Sequence, residues 1–260
     1  MPDPEFSEFQ FAYSVTRELE SKVFPSGSIP HFPTQNQEAD RGYDLNFSNG
    51  VSSLFIQYKR SKRLDDGRAK DEQWNTYGDR FYRFKLRTSD DRAEPEQHEI
   101  LTRLAQRDLP VYYVAPEFVK WMDYQQFARN STILQHSAFI DCENAPTPFD
   151  GDQHYVCHRP EDTVARFFSE EPRTMNRLDA KETSSRLTQV LMGSPPQFNS
   201  FEEATSEFRE IRENITEEMR MREQINPSDY TADDQSIWIR EQQRFFEEVL
   251  GISAHFFETG

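Results

Sequence analysis

Apolar residues recur at helical spacing near the start of the chain. Between residues 6 and 23 they return every three or four positions, which predicts an amphipathic helix. The positions are Ala12, Val15, Leu19 and Val23, widened by Phe9 and Tyr13. The sequence Phe24-Pro25-Ser26-Gly27 predicts the end of this helix, because Pro and Gly are typical of helix termini.

The next segment predicts two strands joined by a tight turn. The first strand spans about 43–47 and the second about 53–60. Between them, Ser48-Asn49-Gly50 is a strong hairpin signal, because Asn-Gly accepts the positive φ values that primed turns need. The hairpin would return the end of the second strand to the start of the first.

Strand alternation then assigns the polar residues of this hairpin to a face. Gln57 and Lys59 are two residues apart and share one face, whereas Ile56 and Tyr58 share the other. Because the hairpin brings Asp44 beside the end of the second strand, a carboxylate, an amide oxygen and an ammonium group would meet. This combination of side chains is suited to bind a hard divalent cation through its oxygen atoms and a phosphate through its positive charge.

Further elements follow in a regular order. Residues 61–79 predict a charged loop with a short helix around Trp74, and residues 81–87 alternate as a third strand. Residues 96–107 predict a helix, and the apolar run 111–115 predicts a buried strand. The order is therefore helix, strand, strand, strand, helix, strand.

The middle of the chain predicts more helices and strands around this core. Residues 117–130 predict a helix, and 133–140 and 154–157 predict strands. Residues 163–168 form a short amphipathic segment, and 180–191 predict a helix.

The last sixty residues differ in character. An apolar stripe in heptad-like spacing is followed by a Pro-containing break and a predicted helix over about 232–250. The stripe consists of Phe201, Ala204, Phe208, Ile211 and Ile215. It either packs on its own domain or forms a surface for a protein partner or for self-association. We therefore divide the chain into an α/β domain (1–170), a linker with a connecting helix (171–199) and an acidic helical C-terminal region (200–260).

Composition indicates a packed protein of the cytoplasm. Aromatic residues make up 13% of the chain and hydrophobic residues 35%, which is enough for a core. Cys142 and Cys157 have no metal-ligand spacing, so a reduced, cytoplasmic protein is expected. No apolar run approaches the roughly 20 residues of a membrane span, and the N-terminus lacks the features of a secretory signal.

Net charge argues against a nucleic-acid partner, but its distribution is uneven. The chain carries −16, yet residues 56–90 contain ten Lys or Arg and six Asp or Glu, a local excess of +4. This segment is either a solvated face or a basic surface for phosphates.

Two features together resemble the PD-(D/E)XK nuclease superfamily. Asp44 followed by Gln57-x-Lys59 resembles its active-site signature, in the Gln-x-Lys variant of Mrr-like restriction nucleases and some phage-defence effectors. The element order over residues 6–115 resembles the αβββαβ core of that superfamily. The resemblance implies a restriction-endonuclease-like α/β fold with a mixed central sheet, here followed by a C-terminal helical appendage. It also implies a DNA endonuclease of a restriction or phage-defence system that depends on Mg²⁺ or Mn²⁺.

The resemblance also implies a metal ligand on the first helix. On a helical wheel Glu8 falls in the apolar stripe and is the first choice, with Glu18 and Glu20 behind it. An acid in the first turn of a helix also interacts favourably with the helix dipole, which is a structural reason for Glu8. The expected metal ligands are Asp44, Gln57 and Glu8.

Each remaining candidate has a functional and a structural interpretation. Lys59 would position the attacking water and stabilise phosphate charge, or it is an exposed basic residue. Asp44 is a ligand or an ordinary Asp before a strand, and Gln57 is a neutral ligand or a polar residue on a strand face. The expected DNA contacts are Arg60, Lys62, Arg63, Arg68 and Lys70.

Two other functions compete with an active nuclease. The overall acidity and the helical C-terminal region favour a catalytically silent interaction protein that keeps the nuclease fold. Alternatively, the chain is an effector subunit that cleaves only when a partner binds its C-terminal helices.

Overall fold

The fold is known from a computed structural model that describes residues 2–23, 51–65, 72–87, 97–148, 153–169, 172–193, 210, 213–214 and 252–258. The helices are α1 (Glu8–Lys22), α2 (Glu72–Tyr77), α3 (Gln97–Ala105), α4 (Trp121–Asn130), a 3-10 turn (Leu134–His136) and α5 (Thr183–Gly193). The strands are β1 (Val51–Tyr58), β2 (Lys62–Leu64), β3 (Phe81–Arg87), β4 (Val111–Pro116), β5 (Ser137–Asp141), β6 (Gln153–His158), β7 (Val164–Phe168), β8 (Arg173–Asn176) and β9 (Ile252–Glu258). The chain is therefore a mixed α/β protein.

The first sheet is mixed and has the strand order β5-β4-β1-β9. β1 pairs in parallel with β4, with Gln57 opposite Tyr113, and antiparallel with β9. α3 lies between β1 and β4 in the chain, as parallel neighbours need a crossover connection. The mixed sheet expected from the sequence is confirmed.

The second sheet has the order β2-β3-β6-β7-β8 and all its pairs are antiparallel. The predicted third strand of the core, 81–87, forms as expected but belongs to this sheet. Its partner β6 comes from a distant part of the chain, and Tyr82 lies opposite His158. Strand alternation predicts that 81–87 is extended, but it carries no information about this long-range partner.

α1 packs on one face of the first sheet. Ser7 and Gln10 form a reciprocal capping box at its start. The helix and strand β1 contribute to one hydrophobic core, whose members include Phe11, Val15, Leu19, Leu54, Ile56 and Tyr58. Burial of each large apolar side chain contributes about 1.5–3 kcal/mol, so this interface fixes the helix on the strand.

The opposite face of the first sheet meets the second sheet and α3. Phe84 of β3 lies 5.6 Å from Tyr113 of β4 between ring centres, and His98 of α3 lies 5.6 Å from Phe167 of β7. β1 is thus covered by α1 on one side and by the second sheet and α3 on the other.

Several sequence predictions are confirmed and others are corrected. The helices near 6–23, 96–107 and 180–191, the strand 111–115 and the short helix around Trp74 all form. The helix predicted from residue 117 begins only at Trp121, because the Glu117 backbone N–H pairs with the His136 oxygen and Lys120 is extended. Residues 133–140 divide into a 3-10 turn and β5, and the amphipathic segment 163–168 is strand β7.

The structure adds detail to two of the predicted regions. Within 171–199, predicted as a linker with a connecting helix, β8 joins the second sheet and the fully buried Leu187 of α5 belongs to the α1 core. In the region 200–260, expected to be helical, residues 252–258 form β9 beside β1. The first hairpin strand, the helix 232–250 and every residue of the apolar stripe lie outside the described residues. No helix in the described part of the chain is long and apolar enough to cross a membrane.

Candidate active site

The end of β1 presents its side chains to two different environments. Tyr58 faces α1, and its hydroxyl lies 3.0 Å from Thr16 Oγ1. Gln57 and Lys59 face the other way, and Lys59 Nζ lies 5.9 Å from the centre of the Tyr113 ring. The predicted alternation of these residues is confirmed.

Gln57 carries an unusual oxygen atom. The residue is 4% exposed, and its Nε2 donates to the backbone oxygen of Tyr58 at 3.0 Å. Its Oε1 is buried and accepts no hydrogen bond within the described part of the chain. A buried oxygen in this state is disfavoured by roughly 1–3 kcal/mol, unless a ligand or a bound water completes it. The atom therefore suits a hard cation, which prefers oxygen ligands.

Glu8 approaches the same end of the strand from the first turn of α1. Partial desolvation raises the pKa of Glu8, and the nearby charges of Lys59 and Arg60 act against that rise, as does a hydrogen bond from the Arg60 backbone N–H. The capping box and the apolar face of α1 hold the carboxyl group there. Glu8 is exposed, and its carboxylate interacts with the charge of Lys59.

The alternative helix acid Glu18 has a structural role instead. It is 4% exposed and accepts the backbone N–H groups of Ile133 at 2.6 Å and Leu134 at 3.3 Å. Lys22 pairs with it at 3.0 Å. The Glu18 carboxylate thus accepts the free backbone N–H groups at the start of the 3-10 turn. Because it is used there, Glu8 is the stronger candidate for a metal ligand. Glu20 is half-buried on the same helix.

The third predicted ligand, Asp44, lies outside the described residues. Among the residues that are described, no three His, Cys, Asp or Glu side chains are grouped so that they could hold a metal ion. Gln57 and Glu8 are therefore the two predicted ligands whose surroundings are known.

The predicted DNA-contact residues are largely engaged by the chain itself. Lys62 Nζ pairs with Asp3 at 2.9 Å, and Arg63 pairs with Asp65 at 2.9 Å. Arg60 donates to the backbone oxygen of Pro4 at 2.9 Å and is exposed. Exposed pairs of this kind are worth at most about 1 kcal/mol, so a phosphate can displace them. Arg68 and Lys70 lie outside the described residues.

Sequence reasoning missed the polar residues of α3 behind the site. His98 Nδ1 lies 2.7 Å from the Tyr113 hydroxyl and its Nε2 lies 2.6 Å from the backbone oxygen of Pro146. Burial lowers the pKa of His98 to about 4, so the ring is neutral, Nε2–H donates to Pro146 and Nδ1 accepts from Tyr113. Glu99, 1% exposed, adds to the rise in the Tyr113 pKa that burial and Cys142 cause. The only sequence signal was the four-residue spacing of His98 with Thr102 on the buried face of α3.

A second buried polar network lies just beyond Lys59. Ser61 Oγ lies 3.0 Å from His158 Nε2, His158 Nδ1 lies 3.2 Å from Glu117 Oε1, and Arg177 Nη1 donates to the same oxygen at 2.8 Å. Burial would raise the pKa of Glu117, but His158 and Arg177 lower it. We name these four residues the inter-sheet network.

The inter-sheet network has the order of groups found in serine hydrolases, but its setting differs. Ser61 and His158 are 0% exposed, and Arg177 neutralises the acid. A hydrolase needs its serine open to a substrate, so the arrangement ties the two sheets together and does not form a second active site.

Comparison of the chain with models of protein families, with curated proteins and with solved structures gives no match.

Proposed function

We propose that this protein is a metal-dependent endonuclease that hydrolyses phosphodiester bonds of DNA in bacterial restriction or phage defence. The observation that carries the proposal is the grouping at the end of β1. Glu8 lies near Lys59, and Lys59 shares a strand face with the buried, unsatisfied Oε1 of Gln57. Oxygen ligands beside an ammonium group suit a cation and a phosphate.

One part of the first sheet supports a restriction-endonuclease-like core. β1 and β4 are parallel neighbours, and α3 lies in the connection between them. α1 covers the sheet as the first helix of the expected αβββαβ order would, whereas β3, the third strand of that order, belongs to the second sheet. The proposal places Asp44 beside Gln57 as the remaining ligand.

Each residue has a stated role in the proposed chemistry. Gln57 Oε1, Glu8 and Asp44 would bind Mg²⁺ or Mn²⁺, which supplies Lewis-acid polarisation of the phosphate and a more acidic bound water. Lys59 holds a positive charge where negative charge develops on the phosphate. Tyr113, kept neutral by burial, and the α3 residues behind it close this side of the site.

Nicking of supercoiled plasmid tests the proposal. We expect wild-type protein to nick DNA with Mg²⁺ or Mn²⁺ and to stop when EDTA is added. Lys59→Ala should lower the rate by roughly 100- to 1,000-fold. Lys181→Ala is the matched control, since Lys181 is exposed and has no part in the proposed site, and it should nick normally. Full activity in folded Lys59→Ala protein, or no metal-dependent nicking by the wild type, contradicts the proposal.

The net charge of −16 favours one competing function, a nuclease-fold protein that binds a partner without cleaving DNA. Such a protein would show no nicking, and its partner binding would not depend on Lys59. A partner-activated subunit would instead gain nicking activity on binding that partner, and would lose it again in Lys59→Ala.

A further inference from the structure

The outer side of α1 carries two large side chains, Phe9 and Tyr13, that the sequence assigned to its apolar face but that are exposed in the structure. Phe9 is 80% exposed and Tyr13 is 59% exposed. They are four residues apart, and Arg17, also exposed, follows after four more. Residues at this spacing are neighbours on one helix face, each about 6 Å further along the axis. We name Phe9, Tyr13 and Arg17 the α1 stripe.

The position of the α1 stripe distinguishes it from scattered surface aromatics. It begins in the first turn of α1, which also carries Glu8, and the Glu8 carboxylate interacts with the charges of Lys59 and Arg60. One end of the stripe is therefore within one helical turn of the candidate ligand Glu8, and the stripe leads away from it along the helix. Arg17 is the exposed basic group at the far end.

Aromatic faces and cationic groups in a row match the chemistry of a nucleic-acid strand. Bases stack on Phe and Tyr rings, and Lys or Arg side chains attract the phosphates between them. Rings on a convex helix surface can reach only bases that are not already paired and stacked within a duplex. The negative charge of the strand complements Arg17 at the far end of the stripe.

We propose that the α1 stripe is a stacking surface for unpaired bases of the strand that the candidate site cleaves, an inference that rests on the proposed function. The substrate class is therefore single-stranded nucleic acid, or a duplex with an unpaired segment. Phe9 and Tyr13 position the strand, and Arg17 contacts its backbone.

Fluorescence anisotropy in EDTA measures this binding without cleavage. The probes are a labelled oligothymidylate and a strand of the same length with abasic sites in place of the bases. We expect Phe9→Ala and Tyr13→Ala each to weaken oligothymidylate binding by roughly 5- to 100-fold. Neither variant should change binding of the abasic strand, which wild-type protein should already bind weakly.

Matched variants separate stacking from general surface effects. Tyr13→Phe keeps the ring and should bind oligothymidylate normally, whereas Phe9→Leu keeps an apolar side chain but loses the ring and should bind weakly. Met122→Ala removes another exposed apolar side chain, 77% exposed on α4, and should have no effect. The five variants change three exposed positions, so circular dichroism should show unchanged folding.

The results distinguish this inference from the proposed function. Base-dependent binding through Phe9 and Tyr13 without metal-dependent nicking would support the surface and refute the nuclease. If the wild type nicks DNA and both alanine variants bind and cleave it as the wild type does, the stacking surface is refuted but the nuclease is not. The inference is also overturned if the wild type binds neither strand, or if the alanine variants instead abolish a dimer seen by light scattering.

Discussion

Thr16 Oγ1 lies 3.0 Å from the Tyr58 hydroxyl, and both residues are buried. Tyr58 stands between Gln57 and Lys59 in the chain, so this hydrogen bond joins α1 to the end of β1 at the candidate site. The same helix carries Glu8 two turns earlier. The bond therefore helps to fix the position of Glu8 relative to Lys59.

Replacement of Thr16 by Val should destabilise the protein with little change in shape. It removes the hydrogen bond from the buried Tyr58 hydroxyl, and we expect a loss of about 1–3 kcal/mol in the free energy of unfolding in urea. Tyr58→Phe combined with Thr16→Val should lose less than the sum of the single variants, because both polar groups are then gone. Additive losses in the free energy of unfolding would show that the Thr16–Tyr58 hydrogen bond is not the source of the lost stability.

Gln57 offers a test of the metal-ligand role that is independent of stability. Gln57→Leu removes the unsatisfied buried oxygen, so unfolding free energy should change by less than about 1.5 kcal/mol while nicking is lost. Gln57→Glu adds a charged oxygen ligand and should lower the Mg²⁺ concentration needed for half-maximal nicking. A normal nicking rate in Gln57→Leu would contradict the assignment.

His98 should make the protein less stable in acid. Its pKa is about 4 in the folded protein and 6.5 as a reference for the unfolded chain, so unfolding takes up a proton between these values. The stability that neutral His98 contributes is complete above pH 6.5 and is lost as the pH falls towards 4, about 3 kcal/mol in all. Urea unfolding at several pH values should show a shallower pH dependence in His98→Gln than in wild type. Equal slopes in the two proteins would contradict this source of acid sensitivity.

Arg177 should be essential for stability because of its buried partner. Arg177→Met leaves the buried Glu117 carboxylate with His158 alone, and we expect a loss of about 3–5 kcal/mol in thermal or urea unfolding. Arg186→Met is the control, because Arg186 pairs with Glu182 on the surface at 3.8 Å and should lose less than about 1 kcal/mol. A small loss of stability in Arg177→Met would show that water or other groups compensate the buried charge of Glu117.

Local patterns predicted the elements near the site well. The three- to four-residue spacing of Val15, Leu19 and Val23 predicted α1, because burial of one helix face follows directly from that spacing. Period-two alternation placed Gln57 and Lys59 on the opposite face from Tyr58 for the same kind of reason. The helical wheel placed Glu8 in the apolar stripe, but the residue is exposed because it lies in the first turn, ahead of the buried part of α1.

Long-range pairings account for most of what the sequence did not reveal. β3 was recognised as a strand, but its membership of a second sheet depends on β6, about seventy residues later. The inter-sheet network joins Ser61, Glu117, His158 and Arg177, which have no short spacing that marks them. The strand character of 252–258 was missed because the acidic, helix-like composition before it dominated the interpretation.

The inter-sheet network also has a consequence for how the molecule opens. Ser61 follows β1, Glu117 follows β4, His158 ends β6 and Arg177 follows β8, so one set of polar contacts joins the ends of strands from both sheets. Separation of the sheets would expose these groups together and lose all of their contacts at once. Backbone amides of β4 and β6 should therefore exchange with solvent deuterium through the same cooperative opening, with one shared free energy.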